Sequence, residues 1–445
     1  MKELLNKIVS KGATDGEIFY KESYSKSIGF ENNLLKGSSE KQSTGVALRM
    51  IKDDKLSFST SNDINKFDAL LQNCLEINPF SSPAEFDFIN KNSATEISIP
   101  ENDILKLSDE KLIEDGRKII SEITKEFPNV KAFAEFEINS NIVKIANTKG
   151  LSKKYRKDTL GFTAGCSFIK DNNFLNCYNT EFLLNSNYDI DASIASILDE
   201  LRLSQNIVSP ESGIRPVIFT PKFLNCTLIP LMLAVSGKSV TDGISPLTNK
   251  VGTKIFDEKF TIVDEGTKIG AFNTTPFDDE GTPSQRNEII SRGNLKGFLH
   301  SLKTAKKLNV EPTGNGYKLG NFFPNPDFTA EPNPYVTNLH IKPGTVLFKD
   351  MIADMKDGII IDDVIGFFMG NLMNGEITGN IGTGYHVKNG KIVGRFSGKS
   401  INFNIYDFLK NNLIDLSSDT KNTPFFFSHG YNPSPYAMFK DLNIE

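Results

Sequence analysis

Residues 45–60 read GVALRMIKDDKLSFST, and Asp63 follows shortly after. The runs 45–51 and 56–60 predict two strands joined across a tight turn at 52–55. Asp63 predicts an N-cap for a helix over 64–77, whose apolar residues recur at Phe67, Leu70, Leu71 and Cys74. Upstream, residues 17–22 (EIFYKE) and 26–31 (KSIGFE) predict two more strands. A similar order returns downstream. Residues 142–146 (IVKIA) and 155–169 predict strands around a turn at 147–150 (NTKG), and 173–181 predicts another. Asp189 or Asp191 then starts a helix through Ile194, Ile197, Leu198 and Leu201. Strands followed by an Asp-capped helix, twice over, argue for an internal duplication. Between the two runs lies an amphipathic helix, 108–127, with its apolar stripe at Leu112, Ile113, Ile119, Ile120 and Ile123 and a stop at Pro128.

Working outward, the texture changes at 206–216 (NIVSPESGIRP), a polar connector that marks the best domain boundary. Residues 217–220 (VIFT) predict a buried strand, and Pro221 opens an apolar helix through Val235. Beyond it short strands dominate, and Asn389–Gly390 inside VKNGKIV is a hairpin signal. A helix is expected over 405–412, ahead of an aromatic tail. The expected architecture is α+β. An N-terminal domain, 1–208, is a helix-covered sheet and the candidate for the internal duplication. A C-terminal domain, 209–445, is mainly antiparallel β, barrel-like or sandwich-like.

With 50 basic against 55 acidic side chains the net charge is −5, which offers no electrostatic footprint for nucleic acid or an anionic membrane. No apolar run reaches the length of a membrane-spanning helix, and residues 1–11 read as a short amphipathic helix, not a secretory signal. Cys74, Cys166, Cys177 and Cys226 form no CxxC pair. Buried free thiols in a reducing cytoplasm are the simplest expectation, with Cys166 and Cys177 as possible strand neighbours.

The catalytic inventory is thin. His300, His340, His386 and His429 are widely separated, so no HExxH-type zinc helix exists, and neither a GxSxG elbow nor a Walker-A loop occurs. Residues 379–384 (GNIGTG) read as a turn or a close backbone approach, since no helix follows to cradle a phosphate. The segment 277–286 (FDDEGTPSQR) stands out. Asp278, Asp279 and Glu280 raise one another's pKa unless a cation or backbone amides offset them, and Arg286 is a candidate for that charge. The segment is either a solvated turn or a rim that grips a peptide backbone or a cation. In 312–317 (PTGNGY), Thr313 and Asn315 either contact a ligand or shape the turn. The aromatic tail, 424–427 (PFFF) with Tyr431, Tyr436 and Phe439, is either core or an interface.

Four segments in order resemble the TldD/PmbA family, specifically its PmbA (TldE) branch. They are 12–20 (GATDGEIFY), the hairpin 45–60 with its GxxxR, 277–308 (FDDEGTPSQRNEIISRGNLKGFLHSLKTAKKL) followed by Thr313–Asn315, and the glycine-punctuated stretch 374–398. The third is the most specific. The resemblance implies a cytosolic zinc metallopeptidase system of two homologous subunits, also called modulators of DNA gyrase. In it a TldD-type subunit holds zinc on an HExxxH helix plus a C-terminal Cys. Carried over, the first zinc-His position falls at Leu228, the catalytic Glu position at Ile229, the second His position at Leu233 and the Cys position near Lys421. None of these side chains supplies the required ligand or base. What the resemblance implies for this chain is therefore a non-catalytic partner that binds no metal itself. Zinc is expected in a TldD-like partner of a heterodimer. Homodimers are possible, the substrate is a peptide, and neither nucleic acid nor membrane is involved. Asp278, Asp279, Glu280, Arg286, Thr313 and Asn315 are the expected groove-lining groups. Two alternatives stand beside this. One is an independent metallopeptidase with a site assembled from the four histidines and Asp278–Glu280. The other is a gyrase- or antitoxin-binding adaptor.

Overall fold

A computed structural model describes residues 1–90, 97–170, 173–319, 328–423 and 433–445. In the N-terminal half the chain runs α1 (Lys2–Ser10), β1 (Asp15–Glu31), β2 (Leu34–Lys52), β3 (Lys55–Ser61) and α2 (Phe67–Ile77). It then repeats that order with α3 (Asp109–Glu126), β4 (Lys131–Asn147), β5 (Ser152–Lys170), β6 (Asn173–Leu183) and α4 (Ile190–Leu203). The six strands form one antiparallel sheet, β3-β2-β1-β4-β5-β6, in which the first strands of the two repeats pair at the centre. The duplicated order is thus visible in the topology. Asp63 accepts from the Asn65 amide and caps a short 3-10 turn ahead of α2, Ser108 caps α3, and Asp189 caps α4.

Helices cover one face of the sheet. Ile18, Val46, Leu48 and Met50 pack on Phe67, Leu70, Leu71 and Cys74. Ile28, Phe136, Ile138, Leu160 and Phe162 pack on Leu112, Ile119, Ile123, Ile194 and Leu201. The strands are longer than their apolar alternation predicts. Residues 17–31 form one strand, not two, and β2 begins eleven residues before Gly45. Residues 34–44 are exposed, so no buried face imposes a period of two on them.

The C-terminal half opens with β7 (Gly213–Phe219), followed by α5 (Pro221–Thr227), α6 (Ile229–Ala234) and α7 (Gly237–Thr241). Next come β8 (Ile262–Glu265), β9 (Arg286–Ser291), β10 (Asn294–Leu295) and α8 (Leu302–Leu308). A ribbon of β11 (Gly316–Lys318) and β12 (Pro332–Pro334) follows, and β13 (Leu339–Ile341) completes the sheet β10-β9-β8-β13. The remaining strands are β14 (Asp357–Ile365), β15 (Glu376–Lys388), β16 (Lys391–Phe396), β17 (Ser400–Asn404), β18 (Leu413–Asn422) and β19 (Pro433–Ile444). The order β14-β7-β19-β17-β15 closes on itself, because β15 also pairs with β14. The result is a five-stranded barrel, antiparallel except where β7 runs parallel to β14.

Phe219, Phe403, Phe408 and Phe439 fill the barrel core together with Phe223, Leu224, Leu228 and Ile229. Tyr436 and Phe439, read in sequence as core or interface, are buried in β19, whereas 424–427 and Tyr431 lie outside the described residues. The single apolar helix expected over 221–235 is two helices that meet at Leu228, with Pro230 in the first turn of α6, where its missing N–H costs nothing. Leu233 on this apolar segment is 41% exposed, although Leu231 and Ala234 beside it are buried. Residues 379–384 lie inside β15, not in a turn. A Cβ at Gly379 would meet the Ile365 carbonyl at 2.5 Å, so the glycine marks a close approach. Cys166 and Cys177 are register partners across β5 and β6, and all four thiols are free.

Candidate functional site

The turn that carries Asp278, Asp279 and Glu280 sits where the two halves meet. Asp278 organises it. Its carboxylate accepts from the backbone amides of Glu280 (3.0 Å), Thr282 (2.9 Å) and Gly316 (2.8 Å), and so ties the turn to β11. Burial and the neighbouring Glu280 push the Asp278 pKa above the ordinary carboxylate range, against the pull of those three amides. Asp279 accepts from the Lys318 amide at 2.8 Å.

Glu280 points the other way, toward the N-terminal sheet. One oxygen accepts from Arg49 Nη1 at 2.8 Å and the other from the Leu302 amide at the start of α8, at 2.7 Å. Arg49 also donates to Glu17 Oε1 through Nε (2.9 Å) and Nη2 (2.7 Å). Its guanidinium packs against Phe86 and Phe88, with ring centroids at 5.0 and 5.3 Å. Glu17, Arg49 and Glu280 are all at least 97% buried. Burial opposes the charge on Arg49, but the two carboxylates outweigh it and hold the pKa above its ordinary value. Burial raises the Glu17 pKa, against Arg49. Lys318, buried beside Phe19 and Phe58, is brought down to about 8 by burial and by Arg49.

A second polar chain runs behind the turn. Thr313 Oγ1 accepts from the His300 amide at 2.7 Å. Asn287 donates to the Thr313 carbonyl and to Asn315 Oδ1, each at 3.0 Å. Asn315 donates to Asp264 Oδ2 and to the Tyr335 carbonyl, each at 2.8 Å. Asp264 also accepts from the Thr337 amide at 2.6 Å, and burial lifts its pKa to about 6.

These placements correct the sequence reading in two respects. The cation that offsets the carboxylates is Arg49, not Arg286. Arg286 is exposed on β9 and lies 3.9 Å from Glu265 and 3.8 Å from Glu288. Asp278, Glu280 and Asn315 are buried and saturated by internal partners, so they brace the junction instead of lining an open groove. Asp279 and Thr313 are half-buried. Arg49 and Glu17 were missed as site residues, although the signal was present. Arg49 interrupts an otherwise apolar strand, on the face opposite Leu48 and Met50.

The histidines do not converge. His300 Nδ1 lies 3.3 Å from Thr304 Oγ1, His340 faces Glu265 at 3.8 Å, and His386 contacts Asp357 at 2.7 Å. His429 lies outside the described residues, among which no cluster of three or more metal-ligating side chains occurs. At the positions carried over from the zinc helix, Leu228 and Ile229 are 1% exposed and Leu233 faces solvent, and all three are hydrocarbon. This donor set does not fit zinc. Lys421 is exposed on β18. Among the described residues no helix is long and apolar enough to cross a membrane.

Comparison with known proteins gives a consistent picture. Residues 212–445 match the PmbA/TldA metallopeptidase C-terminal domain, and residues 16–77 match PmbA/TldA metallopeptidase domain 1. An uncharacterized protein of Methanocaldococcus jannaschii is 27% identical over 419 residues, 92% of this chain and 93% of its own. A metalloprotease TldD homolog of Buchnera aphidicola is 32% identical over 151 residues, 34% of this chain and 30% of its own. The solved structure of TldE from Thermococcus kodakarensis superposes with a TM-score of 0.89 at 20% identity, covering 100% of this chain and 99% of that one, and so shares the fold.

Proposed function

Because the chain belongs to the PmbA/TldD metallopeptidase family, we propose that it is the non-catalytic subunit of a peptidase whose zinc is held by a homologous TldD-type chain. The observation that carries this is the pair α5–α6. Leu228 and Ile229, onto which the family resemblance carries a zinc ligand and a general base, are both sunk in the barrel core. A zinc-bound water needs ligand atoms on a wet surface, and a leucine and an isoleucine in a hydrocarbon core provide neither. Cys226 is the one Cys, His, Asp or Glu in these two helices, and burial with nearby Asp363 pushes its thiol up to about 12. On this reading the chain shapes the interface and the peptide-binding surface of the pair. The free Cys166 and Cys177, facing each other across two strands, support a reducing, cytosolic setting.

Co-expression tests the assignment. The chain purified alone is expected to carry no stoichiometric zinc and to hydrolyse no peptide. Together with a TldD-type subunit it is expected to co-purify in a zinc-bearing complex whose peptidase activity a chelator removes. Chelator-sensitive hydrolysis by the chain alone overturns the assignment.

A further inference from the structure

The six-stranded sheet ends on β6, whose ladder partner is β5 alone. Near the middle of that ladder Cys177 lies directly opposite Cys166. Opposed residues of an antiparallel pair point to the same face. Here it is the face that α4 covers, where both thiols pack with Ala164, Ile197 and Leu201. Their Cα atoms stand about 4.5–5.5 Å apart in either kind of antiparallel pair, inside the roughly 4.4–6.8 Å that a disulfide spans. The backbone therefore needs no rearrangement for the two sulfurs to bond.

β6 is also where this sheet meets the barrel. Tyr178, next to Cys177, packs its ring on Lys222 of α5 at 4.5 Å, and the Phe174 carbonyl accepts from Arg395 Nη1 at 3.4 Å. Both thiols are free and buried. Contact with the Cys166 thiol, and burial, push the Cys177 pKa above the ordinary thiol range, so little thiolate forms and the pair resists incidental oxidation. A bond that closes here needs a small oxidant, and fraying of an edge strand admits one.

We propose that Cys166 and Cys177 are a redox clamp, which a peroxide closes into a reversible disulfide that ties β6 to β5 and steadies the strand that meets the barrel. With hydrogen peroxide, one thiolate attacks a peroxide oxygen and the O–O bond breaks. The hydroxide that leaves takes up the thiol proton as water. The second sulfur then attacks the resulting sulfenic acid. The S–S bond forms, the S–O bond breaks, and a second water departs with the remaining proton. Two electrons pass from the sulfurs to the peroxide. The step requires neither zinc nor a second subunit, so its test is independent of the partner assignment.

The test treats the purified, reduced full chain with excess hydrogen peroxide, blocks the remaining thiols and digests with trypsin. Cleavage after Lys157, Lys170 and Arg202 separates the two cysteines, so the clamp joins peptide 158–170 to peptide 171–202. Mass spectrometry is expected to show that joined pair, the loss of two of the four thiols, and release of both peptides by dithiothreitol. The joined pair is expected in at least about tenfold excess over any linkage to Cys74 or Cys226, since only these two thiols are held together. Cys166→Ala is expected to abolish it, and Cys74→Ala to leave it unchanged. The proposal is overturned if the joined pair is absent, if it forms only after the chain is unfolded in urea, or if linkages to Cys74 or Cys226 match it in yield.

Discussion

Arg49 and Glu280 lie 231 residues apart in the chain and meet at 2.8 Å in the interior. Arg49 comes from the fourth-last position of a strand in the N-terminal sheet, Glu280 from a turn in the C-terminal half, and Glu17 on the neighbouring strand completes the triad. The contact welds the two halves through charge in a place where apolar packing alone would have allowed sliding.

Removing one member of this triad strands the others. Arg49→Met leaves two buried carboxylates facing each other and is expected to cost about 3–5 kcal/mol in urea denaturation. The triple variant Glu17→Gln, Arg49→Met, Glu280→Gln removes the charges together and is expected to recover most of that loss. A single variant within about 1 kcal/mol of the unaltered chain contradicts a buried ionic junction.

The carried-over zinc positions make a contrast that a stability assay reads directly. Ile229→Glu places a carboxylate in the barrel core and is expected to cost about 3 kcal/mol or more. Leu233→His, on the solvent side of the same helix, is expected to change stability by less than about 0.5 kcal/mol. Equal effects would mean that α6 does not present these two faces.

Acid should act through His300. Burial brings its pKa down to about 4 from its ordinary value of 6.5, so on acidification the unfolded chain takes up the proton first. The associated stability is complete above pH 6.5 and is lost as the pH falls toward 4, a change on the order of 3 kcal/mol. Burial of Asp264, which lifts its pKa to about 6, works in the opposite direction across most of that range, so the total slope mixes opposed contributions. The comparison of unaltered chain with His300→Gln isolates the histidine. The variant's stability should fall less between pH 7 and pH 4, and parallel curves would show that His300 titrates normally.

Gly316 guards the same junction sterically. A Cβ there would lie 2.3 Å from Glu280 Oε2, the oxygen that accepts from Leu302. Glu280 is held at both oxygens and cannot swing aside without losing a charged hydrogen bond. Gly316→Ala is expected to lower stability by about 2 kcal/mol in thermal or urea unfolding. An unchanged midpoint would show that Glu280 is free to move.

The sequence displayed what local rules control. Asp63 caps a helical segment as read, Asp189 is the cap of the two aspartates offered, the turn at 52–55 closes a hairpin, and the repeat order is legible from alternation and caps. It concealed what depends on distant partners. Residues 34–44 are strand because β1 offers a ladder of backbone groups, not because of their side chains. The strands at 413–422 and 433–444 escaped notice because the barrel strand β19 pairs with neighbours brought from elsewhere, and β18 is a strand only by pairing with β19, so neither needs a local turn signal. The DDEG turn was recognisable as unusual from its consecutive charges. That its counter-ion would be Arg49 and not the nearer Arg286 follows from register and docking, which no local pattern encodes.

β7 has a consequence for how this molecule is made. It is the first barrel strand to leave the ribosome, yet its two neighbours are β14 and β19, the latter pairing with it as far along the chain as Ile444. For the time it takes to add more than two hundred residues, an apolar strand waits with one or both edges bare. Such long-range closure slows folding and favours intermolecular strand pairing. The nascent chain should therefore lean on a holdase, and the yield of native protein should respond to chaperone supply more than to any single side chain.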